Sequence, residues 1–189
     1  MTPRSDMPDR LDRARTVLAV VDIQERFRDA IVGMDGVLAA SGRLIQYCQQ
    51  LGIPVLVTEH YPRGLGVTLP EIRETIRPFA PIEKIHFSCA GDEGFREALA
   101  ATGRDQVLLC GIETHVCIYQ TACDLLRDGK QAVVAVDAVS SCTTVDRSVG
   151  LQRLDQLGAD LMTVQMYMFE ILVIAVTSDF KAVASLLKG

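Results

Sequence analysis

Six short apolar runs recur along the chain, most of them followed by a stretch with helical spacing, and this alternation constrains the fold more than any other feature. The runs are TVLAVVDI (16–23), IPVLVT (53–58), IEKIHFS (82–88, the strand ending near Ile85), QVLLCG (106–111), QAVVAVDAV (131–139) and DLMTV (160–164). A strand that is apolar almost throughout must be covered on both faces, and a parallel sheet between helix layers provides that cover. The helical segments fall at 37–51, ended by Gly52; at 69–76, with Pro70 in the first turn; and from an Asp92 cap to 102. Others run from the end of QVLLCG to 128, ended by Gly129, and from an Asp146 cap to 157; two more cover 168–176 and 178–187. Residues 59–69, with Pro62, Gly64 and Gly66, read as a loop. The expectation is a single three-layer α/β/α domain over 14–189 with a six-stranded parallel sheet, preceded by a mobile terminal segment, 1–13.

At 189 residues the chain suffices for one sizeable core. Its net charge is −5 and it has no Lys/Arg cluster, so a nucleic-acid partner is not expected. The most apolar stretch, LMTVQMYMFEILVIAV (161–176), has 16 residues and is interrupted by Gln165 and Glu170, too short and too polar for a membrane span. It reads as a buried strand followed by a buried or interface helix. The N-terminus lacks the form of an export signal, which makes the cytoplasm the expected compartment. The six cysteines form no CxxC pair and no zinc-type spacing, so free thiols are expected in that reducing compartment.

In a doubly wound sheet, ligands bind beyond the carboxyl ends of the strands, where the strand order reverses. Polar residues fall there: Asp22, Glu59, His60, Lys84, Glu113, Thr114, His115, Cys117 and Asp137. Asp22 interrupts an apolar run, where an unpaired carboxylate is costly, although a strand-end Asp also serves as a structural cap. Lys84 sits on an apolar strand, from which lysines ordinarily reach out to water. Cys117 lies near a helix start, where the dipole and unpaired N–H groups stabilise a thiolate and a nearby ammonium lowers its pKa further. An apolar-flanked cysteine is otherwise inert core. If Asp22, Lys84 and Cys117 converge, they make a workable nucleophilic set. His115 and Cys117 are two residues apart, on opposite faces of a helix, which argues against a Cys–His dyad. No metal spacing, nucleotide fingerprint or Walker motif occurs, and no cofactor is expected.

The ordered motifs VVDIQ, TEHYPRGLGVTLPEI, EKIHFS, GIETHVCIYQTACDLL and VDAVSSCTTVDR resemble the isochorismatase-like cysteine hydrolases, closest to the isochorismatase domain-containing subgroup. The resemblance spans 16–188 and implies a strand order of 3-2-1-4-5-6. It further implies Asp22 as general base, Lys84 as support for the thiolate and Cys117 as nucleophile. A cis peptide between Ile112 and Glu113 would aim the Glu113 N–H, with that of Cys117, at the oxyanion. Related nicotinamidases hold a metal with an Asp and two His after the second strand. Here Glu59 and Tyr61 take the Asp and first His positions and no second His follows before His86, so no metal is expected. The expected activity is hydrolysis of a small amide or related carbonyl compound through a Cys117 thioester. Phe27, His60, Tyr61, Phe87 and Tyr119 are candidate pocket walls, each equally compatible with core or surface. A homo-oligomer is expected, with MYMFEILVIAV as candidate interface. Two other readings stay open: a silent binding module on the same fold, and a thiol sensor pairing Cys117 with Cys142 or Cys89.

Overall fold

A computed structural model describes residues 10–187. All six apolar runs form strands: β1 (Thr16–Val21), β2 (Val55–His60), β3 (Ile82–Lys84), β4 (Gln106–Ile112), β5 (Gln131–Ser140) and β6 (Asp160–Met162). They pair in parallel in the order β3-β2-β1-β4-β5-β6. Period-two alternation divides β1 between two cores. Leu18 and Val20 pack with α1 (Met34–Gln50), α3 (Pro70–Arg73), α7 (Val164–Leu172) and α8 (Ser178–Val183). Val17, Ala19 and Val21 pack on the other face with α4 (Glu93–Thr102), α5 (Tyr119–Arg127) and α6 (Thr144–Leu157).

The central pair, β1 and β4, approaches so closely that Gly111 is required. Its φ is +117°, and a Cβ there would overlap the Val21 carbonyl oxygen. β4 pairs with β5 through a register shift between Leu109 and Gly111. Beside that irregularity, Asp137 accepts from Val164 N at 2.8 Å, so it anchors the start of α7.

Several boundaries differ from the sequence expectation for local reasons. The 59–69 loop contains a short helix, α2 (Pro62–Leu65), entered through Tyr61 at φ +40°. Asp92 caps α4 as expected, accepting from Phe95 N. The cap of α6 is Thr143 instead of Asp146: the Thr143 hydroxyl accepts from Asp146 N at 3.0 Å, placing Asp146 in the first turn. Thr163 likewise caps α7 by accepting from Met166 N, so that helix starts well before residue 168 and β6 is cut short. α7 buries Tyr167 and Met168 and leaves Met166 and Phe169 exposed, with Val173, Ile174 and Val176 exposed beyond its end. Of the terminal segment, residues 1–9 lie outside the described residues. Residues 10–13 are tied to the domain: Leu11 is buried and donates to Glu170, and Arg13 bonds the Leu51 carbonyl.

Candidate active site

The strand order reverses between β1 and β4, and the polar residues flagged by the sequence gather at that end of the sheet. Asp22 leaves β1 with φ +54°, and its carboxylate is 1% exposed. One oxygen, Oδ1, accepts from Thr58 Oγ1 at 2.7 Å; the other, Oδ2, accepts from Lys84 Nζ at 2.6 Å. The Lys84 side chain does not reach water; it is 0% exposed. An ammonium has three donors, and Lys84 gives the remaining two to the carbonyls of His86 (3.1 Å) and Phe87 (3.2 Å). The loop after β3 thus wraps its own lysine, which explains why β3 ends at residue 84. A buried charge is tolerable only when paired and fully hydrogen-bonded, and this one is both.

Cys117 approaches the pair from the other side of the crevice. Beyond the cis Ile112–Glu113 peptide, Thr114–Ile118 form a π-helical turn that leads into α5, with the Glu113 carbonyl accepting from Val116 N and Ile118 N. Gly150 of α6 lies flat against this turn; a Cβ there would sit 3.0 Å from the His115 backbone. His115 turns away and shares a hydrogen bond between its Nδ1 and Ser141 Oγ (3.0 Å), so it does not pair with Cys117. Cys117 is buried, 7% exposed. Burial, and next the Asp22 carboxylate beside it, push the Cys117 thiol far above its ordinary range, with the Lys84 ammonium pulling the other way. This corrects the expectation of a lowered pKa: the helix start lies in a desolvated crevice, and desolvation outweighs the ammonium. At Lys84, burial favours the neutral amine, but the Asp22 carboxylate bonded to it outweighs that and holds the ammonium's pKa above its usual value.

A cavity of ≈180 Å³ opens over Asp22 and Cys117, with Lys84 behind Asp22, and is lined by Asp22, Phe27, His60, Leu65, Phe87, Ile112, Glu113, Val116 and Cys117. Of the five aromatic residues named from sequence, Phe27, His60 and Phe87 line it. Tyr61 and Tyr119 do not: Tyr61 is turned outward by its left-handed backbone, and Tyr119 bonds Arg153 on the outer face. The His60 and Phe87 rings lie 5.2 Å apart at 30°. Burial, and then the nearby Lys84 charge, lower the His60 pKa, which keeps its imidazole neutral at neutral pH. Glu59 is elsewhere engaged, its Oε1 accepting from Thr68 N (2.7 Å) and Thr68 Oγ1 (2.8 Å), which pins the 59–69 loop.

Two buried polar side chains at this end escaped the sequence analysis. Thr58 is the bridge to Asp22 described above. Gln24 binds the β2 end to the loop: it accepts from His60 N and donates to the carbonyls of His60 and Gly66. Their only sequence signal was a polar residue at an apolar strand's end.

A parallel doubly wound sheet with a buried Asp–Lys pair beside a cysteine at its switch point defines a class of α/β protein with a preformed pocket at the carboxyl ends of its strands. Comparison with known proteins narrows the class. Residues 16–166 match the isochorismatase domain. Isochorismatase domain-containing protein 2 of Danio rerio is 39% identical over 180 residues, covering 94% of this chain and 89% of that protein. A Phytophthora sojae protein named as a secreted isochorismatase effector is 36% identical, covering 92% of this chain and 84% of its own length. The structure described as the MAR1 ribonuclease of Caenorhabditis elegans superposes with a TM-score of 0.90 at 35% identity, covering 96% of this chain and 93% of that one. The chain belongs to the isochorismatase family, whose fold and hydrolase character it shares.

Proposed function

We propose that this protein is a metal-independent cysteine hydrolase that cleaves a small carboxamide or related carbonyl compound through a Cys117 thioester. The observation that carries this reading is that Asp22, ion-paired to the buried Lys84 behind it, lines one cavity together with Cys117. Because the thiol is held protonated, attack requires a base at hand, and Asp22 is that base. As the sulfur bonds the substrate carbonyl carbon, its proton passes to Asp22. The carbonyl π electrons move to oxygen, and the oxyanion rests on the backbone N–H groups of Glu113 and Cys117. Collapse expels the amine, which takes the proton from Asp22 and leaves the thioester. Water, deprotonated by Asp22, then releases the acid and regenerates the thiol. Lys84 holds Asp22 in register through its fixed bonds and favours negative charge at Cys117 as it develops.

Metal independence rests on the loop after β2: Glu59 is committed to Thr68, and Tyr61 points outward. A ribonuclease reading, prompted by the nematode neighbour, gains nothing from this cavity, since none of its lining residues is Lys or Arg. The cytoplasmic assignment rests on six free cysteines, four of them buried, and the secreted relative shows that family membership does not decide it. Among the described residues no helix is long and apolar enough to cross a membrane. The exposed Met166, Phe169, Val173, Ile174 and Val176 support a homo-oligomer. The decisive experiment is a panel of small amides, followed by Cys117→Ser on any substrate found. Turnover should fall by about 10³-fold or more, with a thioester trapped only in the wild type. Full turnover by Cys117→Ser would overturn the mechanism; no turnover and no reaction at Cys117 would favour the silent binding module.

A further inference from the structure

The charges around the cavity are one-sided. Two carboxylates, Asp22 and Glu113, line it and no Lys or Arg does. Lys84 lies behind Asp22, with its three donors spent on Asp22 and two carbonyls. Its charge balances Asp22 and leaves Glu113 uncompensated. Glu113 is half-buried, and its Oε2 accepts from the Cys142 amide at 2.8 Å, which fixes the carboxylate at the cavity's edge. Three arginines at this end of the molecule are engaged elsewhere, and Arg26 and Arg63, although near Phe27 and Leu65 in sequence, do not line the cavity. Arg28 pairs with Glu71 and Asp35, Arg147 bonds the carbonyls of Val136 and Val139, and Arg153 bonds Tyr119. The rest of the wall is apolar or neutral: Phe27, Leu65, Phe87, Ile112, Val116 and His60.

We infer that the cavity admits a small uncharged carboxamide, its acyl part lying against the His60–Phe87 rings, and rejects substrates that carry a carboxylate or phosphate, with Glu113 as the residue that enforces the rejection. This rests on the Cys117 hydrolase reading and deepens it. A family member with this lining has no cationic side chain to pair with a substrate anion, and an anion entering it meets Glu113 across low-dielectric walls.

The test uses the intact protein and two alkylating reagents of nearly equal size, neutral iodoacetamide and anionic iodoacetate. Their rates at Cys117 are read by mass spectrometry at one alkaline pH and divided by the same ratio for 2-mercaptoethanol. The normalised preference for iodoacetamide should exceed about tenfold, and rising salt should shrink it. Glu113→Gln should bring the ratio several-fold closer to that of the free thiol. A wild-type ratio equal to that of 2-mercaptoethanol overturns the charge selection. A large ratio that neither Glu113→Gln nor salt alters overturns the role of Glu113. Failure of both reagents to modify Cys117 overturns the hydrolase reading itself, which keeps the two failures distinct.

Discussion

Replacing Asp22 by Asn removes the charge that makes Lys84 tolerable in the interior. The two charged atoms are 2.6 Å apart and neither side chain is more than 1% exposed. At an effective dielectric constant of about 20, their attraction is roughly 6 kcal/mol. Each ion also loses several kcal/mol of hydration, so the pair as a whole contributes little net stability. Breaking it is different, because the surviving ion keeps its desolvation cost and loses its partner. Asp22→Asn should therefore destabilise the fold by about 3–5 kcal/mol, and Lys84→Met, which strands the carboxylate, by a similar amount. The double variant should be no worse than either single one, giving a coupling energy of about 3 kcal/mol or more. With no tryptophan in the chain, urea unfolding followed by far-UV circular dichroism is the suitable assay. Additive losses in the double variant, or a single-variant loss under about 1 kcal/mol, would show that the pair is not the buried, mutually dependent unit described above.

Two further predictions concern the frame around the site. Burial raises the thiols of Cys48 and Cys110 to about 12 and that of Cys89 to about 11, against an ordinary 9.0. Folded pKa values above the unfolded ones mean that this stability is complete below pH 9.0 and is lost as pH rises toward 11 and 12. Near pH 10 each thiol should have cost about 1 kcal/mol, visible as a lower urea midpoint than at neutral pH; an unchanged midpoint would contradict their burial. Gly111→Ala should cost more than about 3 kcal/mol, because the Cβ meets the Val21 carbonyl in a backbone conformation that only glycine adopts readily. Equal urea midpoints for that variant and the wild type would mean that β1 and β4 are not so closely apposed.

The sequence by itself determined the layers. Runs such as TVLAVV and QVLLC bury in full only in a sheet covered on both sides, and all six became strands of a parallel sheet. It also determined that Asp22 and Cys117 fall just beyond strand ends, because period and turn residues are local properties. Helix boundaries were less legible where two caps compete over a few residues, as at Thr143 and Asp146 or at Thr163. The fate of Lys84 was settled only by tertiary structure. A lysine on an apolar strand reads as surface until a carboxylate 62 positions away and two carbonyls of its own loop accept hydrogen bonds from all three of its N–H groups. The same holds for Cys117, whose helix start suggested a thiolate and whose desolvated surroundings hold the proton on sulfur. Tyr61 and Tyr119 were as plausible for the pocket as His60 and Phe87; backbone handedness and a helix's rotation about its axis separated them. Local pattern specifies which residues are buried or at an end. Charge pairing, desolvation and pocket shape depend on distances between segments far apart in the chain, which the fold alone sets.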